Sequence, residues 1–187
     1  ISQPSYFPFG LGYLAAVLIK EGYEVRILDI NGYRYGKEKV ESLLNNFLVN
    51  EKIGLVGIGC LITGYNYVKW LNSTIRKIKP ETKIIIGGSI ATSVPELVLK
   101  KLDADIAVLG EGEETIIELM RYFENKKKIN TIKGIYYKQL DEIKRTFPRE
   151  RTKDLDKIPF PAWDLFPMEI YVKNVLKDMP EFCSLDV

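Results

Sequence analysis

Apolar residues recur along this chain in two alternating rhythms. The first is helical: Leu11, Leu14, Ala15 and Leu18 share one face before Gly22, and Val40, Leu43, Leu44 and Phe47 share another. Val68, Leu71, Ile75 and Ile78 repeat the spacing and stop at Pro80, and Ile116, Leu119, Met120 and Phe123 form the cleanest stripe. A short helix is expected around 94–102. The second rhythm is that of strands. Glu24–Ile30 alternates and ends at Asp29 and Asn31-Gly32, and Ile53–Cys60 (IGLVGIGC) is punctuated by glycines. Lys83–Ile86 runs apolar into Gly87-Gly88, and Asp105–Leu109 runs into Gly110-Glu111-Gly112. A β-branched run closed by glycines and followed by a helical pattern is how a buried parallel strand meets its loop. Four such strands alternating with four helical patterns predict a doubly wound α/β domain, flavodoxin- or Rossmann-like, with a parallel sheet and helices on both faces.

Beyond residue 130 the rhythm changes. Ile132–Lys138 and Ile143–Phe147, around Gln139–Glu142, predict a β-hairpin. Asp154–Pro167 (DLDKIPFPAWDLFP) reads as a proline- and aromatic-rich strap, with Phe160, Trp163 and Phe166 as packing residues closing one end of the core. Lys173–Val187 carries no usable pattern. The expected division is an α/β domain over 1–130, a hairpin over 131–150 and a linker over 151–187. In a flavodoxin-like strand order 2-1-3-4-5, strand 1 lies between the strands at 24–30 and 53–59. Only its last residues, around Ile1-Ser2, are present, so a first strand truncated upstream of Ile1 is expected.

Composition narrows the chemistry. With 187 residues and 46% hydrophobic positions, the chain is long enough for one well-formed core. Its 27 basic and 25 acidic residues leave a net charge of +2, which argues against a nucleic-acid surface. Lys126-Lys127-Lys128 reads as a solvated helix end, where cations complement the dipole. Cys60 and Cys183 make neither a disulfide framework nor a metal-ligand spacing. The absence of histidine excludes histidine bases, histidine ligands and Ser-His or Cys-His couples. No apolar run approaches 18 residues and no signal peptide is seen, so no membrane partner and a cytoplasmic location are expected. The chain starts at Ile1 without an initiator methionine and reads as a fragment.

Ligands of doubly wound folds gather at the carboxyl ends of the strands, here the loops 61–64, 87–92 and 110–114. The order and spacing of several motifs resemble the N-terminal cobalamin-binding domain of class B radical S-adenosylmethionine (SAM) enzymes. They are Gln3-Pro4 with Pro8-Phe9-Gly10-Leu11-Gly12-Tyr13-Leu14-Ala15-Ala16, Gly22-Tyr23-Glu24-Val25 followed by Asp29, and Gly87-Gly88-Ser89-Ile90-Ala91-Thr92. Gly110-Glu111-Gly112-Glu113, then Gly134-Ile135 and Asp154–Asp164, complete the resemblance over about residues 1–168.

The resemblance implies cobalamin as cofactor, with a [4Fe-4S] cluster and S-adenosylmethionine in a full-length parent, methyl transfer to a substrate carbon, and a C-terminal radical SAM domain as partner in cis. It departs from the family's pattern where Ile90 replaces a frequent histidine, and the Cys-x3-Cys-x2-Cys cluster site is absent, so this fragment alone is not expected to be catalytic. The cofactor contacts implied are Gly10, Leu61, Ile62, Thr63, Gly64, Gly87, Gly88, Ser89, Ile90, Thr92, Gly110, Glu111, Gly112 and Glu113.

Each position also has a plainer reading. Gly87 and Gly88 suit any strand-to-helix turn, and Ser89 and Thr92 either cap a helix or bond corrin amides. Glu113 and Glu114 suit a helix start, which leaves Glu111 as the better candidate for bonding the ligand's tail. Leu61–Gly64 would face the lower side of the corrin, with no protein imidazole for the cobalt. Cys60 reads as a small hydrophobe, with a thiolate ligand as the rarer alternative. Two other functions compete: a degenerate module that docks without cobalamin, and a flavodoxin-like nucleotide binder. The last lacks a G-x-G-x-x-G opening a helix, since Gly54, Gly57 and Gly59 lie within their strand.

Overall fold

The computed structural model describes residues 6–140 and 142–178, with side chains as far as Lys173. Helix α1 (Phe9–Lys20), the single turn α2 (Ile30–Tyr33) and α3 (Lys37–Asn45) precede the first strand, β1 (Leu55–Gly59). A 3-10 turn at Ile62–Gly64 leads into α4 (Tyr65–Ile78), followed by β2 (Lys83–Gly87). The expected helix near 94–102 is two pieces, α5 (Ser89–Ser93) and α6 (Pro95–Lys101), because Pro95 opens a new helix. Then come β3 (Ile106–Val108), α7 (Glu113–Phe123), the hairpin β4 (Ile135–Gln139) and β5 (Glu142–Arg145), and α8 (Met168–Asp178), which begins within the nominal linker.

The sheet runs β1-β2-β3-β4-β5, with β1, β2 and β3 parallel and the hairpin antiparallel on the β3 edge. Consecutive isoleucines of β2 point to opposite sides. Ile84 and Ile86 join α3, α4 and α6 through Val40, Leu71, Ile75 and Val98, whereas Ile85 joins α1 and α7 through Val17, Ile116 and Leu119. Helices therefore cover both faces, which is why β2 reads as an unbroken apolar run.

Three expectations change. The segment 24–30 makes no ladder among the described residues, although Val25 and Ile27 are half-buried and Glu24 and Arg26 exposed. Alternation specifies an extended, half-buried segment, but a ladder also needs a partner edge. In the expected strand order that edge belongs to residues around Ile1-Ser2, outside the described residues. The lysines 126–128 do not end α7, which stops at Phe123; Lys126 instead pairs with Glu124 at 2.9 Å and Lys127 with Glu118 at 2.5 Å. Of the strap aromatics, Phe166 is buried and Trp163 half-buried, but Phe160 is 87% exposed rather than a core-closing residue. Cys183 lies outside the described residues.

The chain from Arg149 through the strap is tied to the α/β unit at successive points. Arg149 pairs with Glu114 (2.8 Å) and Glu118 of α7. The amide of Thr152 donates to Glu111 Oε2 (2.8 Å), and that of Ala162 to the Gly12 carbonyl (3.1 Å). Phe7 then sits against Trp163, Phe166 and Tyr171, with ring centroids 4.6, 4.7 and 5.5 Å away. Tyr171 of α8 donates to the buried carboxylate of Asp29, whose other oxygen accepts from the Gly32 amide at 2.8 Å. Gly32 has to lack a side chain, since a Cβ there would lie 2.5 Å from Asp29 Oδ2 and 2.9 Å from the Tyr171 hydroxyl.

Burial and the bond to Asp29 both push the Tyr171 phenol far above its ordinary value. A raised value means that this contribution to stability is intact below the unfolded value of about 10 and is lost as pH rises beyond it. Tyr171→Phe is expected to destabilise the protein by about 1–3 kcal/mol in urea unfolding at neutral pH. The difference from wild type should shrink above about pH 10; a gap that holds constant into alkali would contradict the buried pair.

Candidate functional site

Because β1, β2 and β3 are parallel, their carboxyl ends open at one edge of the sheet, and the loops 60–64, 87–92 and 109–112 meet there. Gly88 is the pivot. Its backbone lies at φ 83° and ψ −168°, a region open essentially to glycine alone. A Cβ would also stand 2.6 Å from the Cys60 carbonyl oxygen and 3.1 Å from its nitrogen. The requirement for glycine here comes from loop-on-loop packing. Gly64 is needed for a similar reason, since a Cβ would meet Cys60 Sγ at 2.5 Å, and Gly112 fits tightly over Leu14 of α1.

Gly10, Gly87 and Gly110 are different. A Cβ at any of them would meet nothing within 4 Å, so each borders open space. Beside them, Leu61 is 69% exposed and Ile62 50% exposed, two large apolar side chains facing water at the loop tip. Thr63 is exposed as well.

The loops are linked by hydrogen bonds. The Ile62 amide donates to Ser89 Oγ (3.3 Å), the Ile90 amide to the Cys60 carbonyl (3.4 Å) and the Gly110 amide to Thr92 Oγ (3.1 Å). Thr92 Oγ in turn donates to the Gly88 carbonyl at 3.2 Å. Ile90 has no exposed surface and packs in the core between β2 and the helices, so it presents no side chain to the crevice. The family resemblance put Ile90 among the contacts, at the position of the family's frequent histidine, but the helical turn of α5 rotates it inward.

Glu111 is exposed and accepts from the strap amide of Thr152, while Glu113, half-buried in the first turn of α7, keeps one oxygen buried and without a partner among the described residues. The Cys60 thiol donates to the Leu61 carbonyl at 2.9 Å, and burial pushes its pKa up, so it stays a neutral thiol near pH 7. Sequence reasoning missed the anchors Thr152 and Arg149 and the underlying Leu14. Glu111 and Thr152 are 41 positions apart, and no local pattern signals such a contact.

The family model for the B12 binding domain matches residues 2–120. The chain belongs to the B12-binding domain family. Cobalamin is the cofactor that this family affiliation assigns to the domain. The chain is 31% identical to cytidylyl-2-hydroxyethylphosphonate methyltransferase of Streptomyces wedmorensis, over 88% of this chain and 38% of that enzyme. It is 27% identical to an uncharacterized methyltransferase, PH0819, of Pyrococcus horikoshii, over 88% of this chain and 35% of that protein. Its fold is similar to that of the cobalamin-dependent S-adenosylmethionine radical enzyme OxsB, with TM-score 0.71 at 19% identity over 90% of this chain and 23% of that one. The chain thus spans little more than a third of the length of the curated relatives it matches.

The residues of this B12-binding domain suit the cofactor. A corrin is a broad, largely apolar macrocycle fringed with amides. The exposed Leu61 and Ile62 offer an apolar platform, and the open flanks of Gly87 and Gly110 leave room for backbone contact with a bulky ligand. With no histidine in the chain, these residues supply no imidazole to the cobalt. Among the described residues no helix is long and apolar enough to cross a membrane.

Gly88→Ala is expected to cost about 1–3 kcal/mol from backbone conformation alone, with the contact on Cys60 adding to it, measured as a lowered urea midpoint. Gly87→Ala, whose Cβ enters open space, should leave that midpoint near wild type. Equal effects of the two would contradict the different roles of these neighbouring glycines.

Proposed function

We propose that this domain holds cobalamin with one face of the corrin against Leu61 and Ile62 and its edge along the glycine loops 87–88 and 110–112, in the service of a radical SAM methyltransferase. The observation that carries the reading is the exposed apolar pair beside two glycines that border open space, at the edge where three parallel strands end. The named methyltransferases among the relatives, which this chain matches over only part of their length, support the assignment of the parent activity. The α/β unit over 1–130 carries the cofactor, and the hairpin over 131–150 and the strap over 151–187 lead towards a radical SAM domain in the same polypeptide, where the [4Fe-4S] cluster and S-adenosylmethionine belong.

When bound, cobalamin supplies methyl-group carriage, chemistry that no side chain provides. The residues of this chain bind and orient. Leu61 and Ile62 shed water against the macrocycle, the peptide groups of the glycine loops face its amide fringe, and Cys60 remains a thiol whose hydrogen bond to Leu61 shapes the loop. Glu111, engaged with Thr152, fixes the strap beside the site, while Glu113 offers the buried oxygen that is still unpartnered among the described residues.

Titration with hydroxocobalamin, followed by visible absorption and calorimetry, tests the reading. Wild-type protein should bind saturably, and Leu61→Asp should bind at least about tenfold more weakly, because a carboxylate would be buried against the corrin. Leu61 is exposed in the ligand-free domain, so the variant should fold normally. A folded wild-type protein that leaves the spectrum unchanged would make the domain a docking module instead.

A further inference from the structure

We propose that Thr92 is a positioning residue for the cobalamin site: its hydroxyl holds the Gly-Gly loop and the Gly-Glu-Gly loop at a fixed separation and does not itself touch the ligand. The inference rests on the cobalamin reading above.

A hydroxyl has one proton and two acceptor lone pairs. In Thr92 the proton goes to the Gly88 carbonyl (3.2 Å), and a lone pair receives the Gly110 amide (3.1 Å). Of the two groups it joins, the Gly88 carbonyl also accepts the Thr92 amide (3.1 Å) and Gly88 packs on the Cys60 peptide, so what the hydroxyl adds is the tie to the Gly110 amide. Gly88 and Gly110 both have positive φ, 83° and 67°, both are exposed, and neither has a side chain to pack. Gly110, with open space beside it, is the more permissive of the two.

The hydroxyl is itself held rigidly. In Ser89-Ile90-Ala91-Thr92, Ile90 and Ala91 have no exposed surface, so the short helix α5 is pinned to the core between its two outward hydroxyls. Threonine is also stiff at χ1, which fixes where its hydroxyl points. Ser89 does the matching job on the other side by accepting the Ile62 amide. The loops after β1, β2 and β3 are thereby linked in series, Ile62 to Ser89 and Thr92 to Gly110, through one buried anchor. A ligand lying across all three meets a rim already assembled, and the cost of ordering it is reduced.

Thr92→Val keeps the shape and removes the hydroxyl, and Thr92→Ser keeps the hydroxyl. Two readouts separate positioning from contact: solvent exchange of the Gly110 amide by NMR in ligand-free protein, and hydroxocobalamin affinity. Thr92→Val should speed Gly110 exchange and weaken binding about tenfold, as expected for two lost hydrogen bonds. Thr92→Ser should restore both to within about threefold. Wild-type affinity in Thr92→Val overturns the proposal. So does weakened binding with Gly110 exchange unchanged, which would mean that the hydroxyl contacts the ligand directly. If wild-type protein binds no cobalamin, the reading of the site falls with that result, and Gly110 exchange in the ligand-free variants still decides the staple: an unchanged rate in Thr92→Val overturns it.

Discussion

The close approach of Gly88 to the peptide of Cys60 is the constraint on which the carboxyl edge of this domain depends. Parallel pairing of β1 with β2 brings the two strand ends level, and the Cys60 amide still reaches the Gly87 carbonyl at 3.3 Å, one step past the ladder. From there the chain has to turn at once into α5 so that Ile90 and Ala91 reach the core. Only a residue without a Cβ, at positive φ, makes that turn against a neighbouring backbone. Once it is made, Ser89 and Thr92 point outward by helical geometry and reach the loops on either side.

The strap belongs to the same edge. It anchors at Glu111 beside the glycine loop, at Gly12 in α1, and at Asp29 through Tyr171. Glu111 lies in the loop after β3, Gly12 in the first turn of α1, and Asp29 caps the single turn α2. A segment whose composition suggests a passive linker is therefore tied into the α/β unit, and Glu111, which resembles a ligand contact in its motif, takes part in that tie. The aromatic cluster around Phe7 supplies the apolar burial that makes these polar contacts persistent.

Much of the fold was legible in the chain. The apolar runs at 53–60, 83–86 and 105–109, their glycine stops and the four helical faces are local signals, and each corresponds within a residue or two to an element of the structure. The hairpin showed itself by a change of period. Where reading failed, the missing information was not local. The alternation in 24–30 is present, yet no ladder forms among the described residues, because a strand is a property of two segments. Ile90 was assigned by the family resemblance and Phe160 by its place in an aromatic strap, and one turned inward while the other turned out to water.

The sequence by itself determined the α/β class, the glycine-closed loops at the carboxyl edge and the family, because periodicity and glycine placement act over a few residues. Tertiary structure decided which glycines are there for packing and which border open space, since that depends on atoms contributed by other strands. It also decided that Thr92 and Ser89 bridge loops and that Glu111 holds the strap. Hydrogen bonds across 18, 27 and 41 positions exist only once the sheet has brought those loops to one edge.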